Sequence, residues 1–276
     1  MHRPLLPLCL LAALAAPAGA EITVASQSYG FALVLLDTLP PAPADQGDTA
    51  FCDHLFLSTP DTPAGRDAQA KGWHLTAELP FAGLTAVSFI GSATPATSGT
   101  CDLIDGNVGF YSGDQLVALL YGTLPDERMI GRIRPFGDTG LRVLSGDVLP
   151  YTMADLTTDG TSITVTDPAK VEPVCTNAAE IPEIEGLPID EARARLIRSG
   201  WTPVPGDPAQ QAYSQAADIA AAGVPEVEEC SGTGFAFCAY SYTGPAGDLT
   251  VVTAGEGGES GGLPLVARYS VACQPG

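Results

Sequence analysis

Short apolar runs, separated by glycine, proline, aspartate and serine, dominate the first 170 residues of the chain. In several of them apolar and polar positions alternate, as in a strand with one buried face. In residues 116–121 every position is apolar, which is typical of a strand buried on both faces. The clearest runs are 31–36, 86–90, 116–121, 132–134 and 162–166. The pattern predicts an antiparallel β-sandwich or barrel over residues 21–170.

The pattern changes after this region. Residues 167–173 contain two prolines and predict a linker. A helical periodicity follows and predicts a helix over 190–199. The residues that share its apolar face are Ile189, Ala192 and Leu196. A second helix is expected at 208–222, and strands at 237–242, 249–253 and 265–272. Residues 178–276 are therefore expected to form a separate α+β domain.

The N-terminal residues have the parts of an export signal. His2 and Arg3 are basic, residues 5–16 are almost wholly apolar, and Ala18-Gly19-Ala20 supplies small residues for a signal peptidase. An apolar run of about a dozen residues is too short for a helix that crosses a bilayer, which needs roughly 20. We expect a signal peptide at 1–20, cleavage near Ala20, and a periplasmic or secreted mature protein without a membrane span.

Charge excludes two classes of partner. The 276-residue chain has 32 acidic and 12 basic residues and a formal net charge of −20. Nucleic acids and anionic lipid surfaces attract proteins through lysine and arginine, so neither is expected to bind this acidic chain. Surface charge that keeps the protein soluble is sufficient reason for the acidity.

The cysteine count indicates disulfides. The chain has seven cysteines, and removal of Cys9 with the signal leaves six, an even number that is typical of a disulfide framework in an exported protein. Several pairings are open. The pairing that keeps each bridge within one predicted domain is Cys52–Cys101, Cys175–Cys273 and Cys230–Cys238. Cys52-Asp53-His54 is the only close Cys/His pair, and we expect neither a metal site nor a cofactor.

Residues 181–204 resemble the opening of a PASTA module. The resemblance rests on Ile184, Gly186-Leu187, Asp190-Glu191-Ala192 and Gly200-Trp201. It implies a short strand, a helix and a second strand in a small PASTA-like α+β unit. Modules of this family are often found in envelope proteins that meet peptidoglycan or β-lactams. The chain departs from the family afterwards, in the part that contains Cys230 and Cys238.

One motif is similar to that of a serine hydrolase. Residues 258–262 read Gly-Glu-Ser-Gly-Gly, which fits G-x-S-x-G and resembles the sequence around a trypsin-like nucleophile. A nucleophile elbow needs a strand before the serine and a helix after it, whereas Pro264 and a predicted strand follow Ser260. His54 and His74 lack the context of a trypsin-like base. A glycine-rich turn is the simpler interpretation, and we assign no catalytic residue.

Two groups of arginines are candidate anion sites. Arg132 and Arg134 lie on the same side of a predicted strand, opposite Ile133, and could each bind a carboxylate. The alternative is that they pair with neighbouring acids. The acids considered are Asp126, Glu127 and Asp138. A second group on the predicted helix does not share one face, which is typical of a solvated helix. Its members are Arg193, Arg195 and Arg198.

The sequence predicts a non-catalytic binding or structural protein of the cell envelope, with Arg132 and Arg134 as candidate binding residues. Its partner would be an envelope polymer or another envelope protein. The alternatives are a serine hydrolase that uses Ser260 and an enzyme inhibitor.

Overall fold

A computed structural model describes residues 22–147, 149–211, 214–232, 234–255 and 262–274. The signal segment 1–20 and Ser260 lie outside the described residues. In chain order, the first part contains β1 (Thr23–Ser26), β2 (Phe31–Leu35), α1 (Pro63–Ala70), β3 (His74–Phe81), β4 (Leu84–Ile90), β5 (Ser92–Pro95), β6 (Cys101–Ile104), β7 (Asn107–Ser112), β8 (Gln115–Gly122), β9 (Ile130–Phe136), β10 (Gly140–Ser145), β11 (Thr152–Thr158) and β12 (Ser162–Thr166). We call this part the sandwich unit.

The sandwich unit consists of two facing sheets, in the orders β1-β12-β11-β10-β9 and β2-β8-β7-β4-β3. All pairings in them are antiparallel except that of β1 with β12, which is parallel. Side chains from both sheets form one core, with Phe110, Leu120, Ile133 and Val165 among its members. The barrel alternative is wrong, because the two sheets stay separate along their edges in the described part of the chain. The mainly β, antiparallel expectation is confirmed.

The helix α1 was not expected from the sequence. Thr62 caps it, because its hydroxyl accepts a hydrogen bond from the Gly65 N–H at 3.0 Å, and Pro63 occupies its first turn. Its buried face is made of small residues, Ala64, Gly65 and Ala68. The apolar periodicity is therefore too slight to identify this helix.

The second part, the C-terminal unit, contains β13 (Val171–Val174), β14 (Ala179–Pro182), α2 (Ile189–Arg198), β15 (Thr202–Val204), α3 (Pro208–Gln211), α4 (Gln215–Ala221), β16 (Val227–Cys230), β17 (Cys238–Gly244), β18 (Gly247–Ala254) and β19 (Leu265–Cys273). An antiparallel sheet in the order β15-β17-β18-β19, with β16 also on β17, packs against α2 and α4. Ile189, Ala192, Leu196 and Trp201 are buried in this second core.

Three segments of the C-terminal unit differ in detail from expectation. The predicted helix at 208–222 is divided into α3 and α4. Part of the predicted linker at 167–173 is the strand β13, which pairs with β14. The succession β14-α2-β15 has the order that the PASTA resemblance implies, but β14 and β15 belong to different sheets. The resemblance itself and the independence of the two domains stay predictions.

Candidate functional site at the junction of the two units

The junction of the two units is built on the outer face of the β9–β10–β11 sheet. Because Ile133 points into the sandwich core, Arg132 and Arg134 project from the opposite face, as the period of two in the sequence predicts. Arg142 on β10 lies directly beside Arg134, since the two residues are register partners. Asp155 on β11 is the register partner of Arg142 on its other side. One sheet face therefore carries three arginines and an acid.

Arg142 and Asp155 form a buried ion pair. The Arg142 Nε donates to Asp155 Oδ1 at 2.7 Å and its Nη2 donates to Asp155 Oδ2 at 3.0 Å, and both side chains are 2% exposed. The segment after β12 completes the arrangement. Arg142 Nη2 donates to the Ala169 carbonyl at 3.1 Å, and the Ala169 N–H donates to Asp155 Oδ2 at 2.7 Å. The Arg142 guanidinium also lies 4.1 Å from the centre of the Phe136 ring.

Arg134 connects the sheet face to the C-terminal unit. Its Nη1 lies 2.9 Å from Glu172 Oε2 on β13, and its Nη2 donates to the Tyr269 hydroxyl on β19 at 2.8 Å. Glu185, in the loop before α2, lies 3.6 Å from the same Nη2. The Tyr269 hydroxyl donates in turn to Glu172. Thr152 Oγ1 donates to Glu185 Oε2 at 3.1 Å. We call Arg134, Glu172, Glu185 and Tyr269 the junction cluster.

The ionisation of the junction cluster follows from burial and neighbouring charge. Burial raises the pKa of Tyr269; the charge of Arg134 opposes this and the charge of Glu172 adds to it, so the pKa stays above its ordinary value. Tyr269 therefore remains a hydrogen-bond donor at neutral pH. Burial lowers the pKa of Arg134, but the neighbouring Tyr269 hydroxyl and the charges of Glu185 and Glu172 outweigh burial and raise it overall. The cluster therefore combines one arginine with two glutamates and a neutral tyrosine.

Arg132 has a different environment from Arg134. Burial lowers its pKa, and the charges of Glu185 and Asp147 oppose the decrease. The acids near both arginines differ from those considered in the sequence, because Arg134 pairs with Glu172 and Glu185. An incoming carboxylate would have to displace these acids from Arg134. The assignment of Arg132 and Arg134 as binding residues stays a prediction.

A cleft of about 430 Å³ opens beside the junction cluster. Its wall includes Arg134, Glu172, Tyr269 and the disulfide cysteines Cys175 and Cys273. Arg134 Nε is buried and has no hydrogen-bond partner among the described residues. Several polar groups beside the cleft are thus bonded to one another.

The arginines of α2 have structural partners. Arg193 Nε lies 2.9 Å from an oxygen of Glu226, a fully buried residue that also accepts a hydrogen bond from the Tyr242 hydroxyl at 2.7 Å. Arg195 donates to the Glu183 carbonyl at 2.9 Å, and Arg198 donates to the Ala194 carbonyl at 3.1 Å. Arg193 therefore fixes α2 to a buried charge, in addition to its place on a solvated helix.

His54 and His74 lie apart from the junction cluster. His74 Nε2 is 3.1 Å from Gln46 Oε1, its ring centre is 4.8 Å from that of Phe56, and burial lowers its pKa. His54 lies in a short 3-10 helix that follows Cys52. His54, Cys101 and Asp147 each offer one ligand atom, and these atoms lie within 4.8 Å of one another.

The disulfides are Cys52–Cys101, Cys175–Cys273 and Cys230–Cys238, which is the pairing that the sequence argument favoured. Bonds of this kind suit an oxidising, extracytoplasmic environment. In the described part of the chain, no helix has the length and apolar character needed to cross a bilayer.

Sequence reasoning missed Asp155, Glu172, Glu185 and Tyr269. Glu172 and Asp155 each sit within a strand among apolar or β-forming neighbours, and a lone acid in such a strand is the signal that could have identified them. No family model, no curated protein and no solved structure matches the chain.

Proposed function

We propose that the chain is a non-catalytic binding or structural protein of the cell envelope, located in the periplasm or secreted. The observation that carries the proposal is the junction cluster. Its charged groups are paired with one another across the two units, as expected of groups with a structural role. Groups that act on a substrate need free hydrogen-bonding positions, whereas the groups of the junction cluster are bonded to one another.

Three disulfides support the same proposal. Each disulfide constrains the unfolded chain and typically stabilises a protein by about 2–4 kcal/mol. Together with the buried ion pairs they favour a rigid body that keeps its surfaces in fixed relation. This property serves a protein that binds an envelope polymer or another envelope protein.

A fluorophosphonate probe distinguishes this function from that of a serine hydrolase. The proposal expects no labelling of the purified mature protein. Labelling of Ser260 that is lost in Ser260→Ala would establish the hydrolase alternative instead. Heat-unfolded protein is the control for non-specific labelling.

The partner can be sought in two experiments. Crosslinking in the envelope of the source cell, followed by capture of the chain, would identify a protein partner. Sedimentation with purified sacculi at two salt concentrations tests peptidoglycan as the polymer. Binding at low salt that is lost in Arg132→Gln, and retained in the exposed-site variant Arg66→Gln, would support Arg132 as a contact. Absence of binding at low salt would remove peptidoglycan.

A further inference from the structure

A mixed cluster of metal-ligating side chains surrounds the Cys52–Cys101 disulfide. Cys52 precedes the 3-10 helix Asp53–Leu55, which carries His54. Cys101 is the first residue of β6, and Asp147 lies in the turn after β10. Ligand atoms of His54, Cys101 and Asp147 lie within 4.8 Å of one another, and the Cys52 sulfur is bonded to that of Cys101. Three separate segments thus bring four potential ligands together.

The surroundings of this cluster suit a bound cation. Cys52 and Cys101 are buried in a small apolar cluster with Ile90, Ala93 and Leu103, which keeps water from the sulfur atoms. Apolar shells of this kind control solvent access to metal sites.

Asp147 and His54 form the open side of the cluster. The Cys101 N–H donates to Asp147 Oδ2 at 3.2 Å, so the carboxylate is held beside the sulfur. His54 is exposed and provides an entry path from solvent.

We propose that, when the Cys52–Cys101 disulfide is reduced, Cys52, Cys101, His54 and Asp147 bind one Zn²⁺ ion. The donor set of two thiolates, one imidazole and one carboxylate is of the kind that Zn²⁺ takes in tetrahedral sites. Bonds of about 2.0–2.3 Å place neighbouring ligand atoms of such a site about 3.3–3.8 Å apart. After reduction the two sulfurs must move apart to about 3.8 Å. The ligand atoms of His54, Cys101 and Asp147, now within 4.8 Å of one another, must approach by roughly 1 Å to close the tetrahedron.

The chemical state of the sulfurs controls the site. A dithiol reductant transfers two electrons and two protons to the disulfide, which becomes two thiols while the reductant becomes a disulfide. Zn²⁺ then displaces the protons of the two thiols and binds both thiolates, and two protons are released to water. In the oxidised protein only His54 and Asp147 remain as strong ligands. Zinc affinity is therefore coupled to the redox state of one bridge.

Site-resolved alkylation of the full mature chain tests the proposal. The protein is fully reduced under anaerobic conditions, and the rate of iodoacetamide modification is measured at each of the six cysteines by mass spectrometry, with and without Zn²⁺. We expect Zn²⁺ to slow modification of Cys52 and Cys101 on the order of tenfold or more, because a bound thiolate is a poor nucleophile. The other four cysteines should be unaffected. Because each cysteine is measured separately, partial loosening of the C-terminal unit does not obscure the result.

Variants test the two remaining ligands. His54→Gln and Asp147→Asn should each weaken Zn²⁺ binding to the reduced protein on the order of tenfold or more, measured by competition with a chromophoric chelator. Asp53→Asn, which changes an exposed acid between Cys52 and His54, is the matched control and should bind as the wild type does. Equal protection of all cysteines, absence of protection, or unchanged affinity in both ligand variants would overturn the proposal.

Discussion

Arg142 provides the sharpest test of how the sandwich unit is stabilised. The substitution Arg142→Met keeps much of the apolar stem and removes the charge. Asp155, whose side chain is 2% exposed, then loses the two hydrogen bonds from the Arg142 guanidinium, which measure 2.7 and 3.0 Å. The Ala169 N–H is its remaining partner at the carboxylate. A buried charge that loses its partner typically costs 3–5 kcal/mol, so we expect the free energy of unfolding to fall by about 3–5 kcal/mol.

The assay is urea unfolding of the oxidised protein, followed by fluorescence and far-UV circular dichroism. Urea is used because it does not screen charge. The midpoint should fall with little change in the slope of the transition. Arg66→Met is the matched control, because Arg66 is exposed and its side chain donates to the Asp61 carbonyl at 3.2 Å. The control should change stability by less than about 0.5 kcal/mol.

The double variant Arg142→Met/Asp155→Leu separates the cost of an orphaned charge from the value of the pair. Replacement of both partners by apolar residues is often neutral or stabilising, so the double variant should be clearly more stable than Arg142→Met alone. A loss below about 1 kcal/mol in the single variant, or a double variant that is no better than the single one, would refute this reasoning.

Three further predictions concern other buried groups. Glu226→Gln should lower the free energy of unfolding by about 2–4 kcal/mol, because the buried carboxylate accepts a hydrogen bond from the Tyr242 hydroxyl. Urea unfolding measures this change. Gly106→Ala should be poorly folded, since an added Cβ would lie 1.8 Å from the Ile130 carbonyl oxygen; circular dichroism and soluble yield measure it, and a wild-type melting curve would contradict it. Because burial lowers the pKa of His74 in the folded state, the unfolded state binds a proton first as pH falls below about 6.5. The His74 contribution to stability is thus present above that pH and is lost as pH falls towards the folded pKa. An NMR titration midpoint of His74 at or above about 6.5 would contradict this prediction, as would a His74→Gln variant with the same pH dependence of unfolding as the wild type.

Much of the sheet content could be predicted because its signal is local. Ser162–Thr166 alternates polar and β-branched apolar residues, and the strand β12 has the same bounds as the predicted run. The choice between sandwich and barrel is not local, because it depends on whether strands distant in sequence pair at the sheet edges.

The helix α1 was missed for a different reason. A Cβ added at its Gly65 would lie 2.1 Å from Glu78 Oε1, so the helix packs closely through small residues. Its sequence therefore lacks the apolar stripe by which a helix is identified.

The candidate site could be predicted only in part. The period of two correctly placed Arg132 and Arg134 on one face of β9. The partners of Arg134 come from β13, β19 and the loop before α2, and a single sequence does not show that these segments meet. Neighbouring acids were therefore considered in place of Glu172 and Glu185. The proposed zinc ligand Asp147 was not identified from the sequence because it is close to Cys101 only through the fold.

The bridge between Cys175 and Cys273 determines the covalent topology of the C-terminal unit. It closes a ring that spans 98 positions of the chain and contains the second bridge, Cys230–Cys238. A protease that cuts between Thr166 and Cys175 would leave two chains without a covalent link, since none of the three disulfides described above crosses that interval. A cut at 176–178, only a few residues later, would open the ring but leave the pieces joined through Cys273. The position of Cys175 thus decides the result of cleavage in the connecting segment. A cut before Cys175 breaks the covalent link between the two units, and a cut just after it leaves all pieces covalently joined.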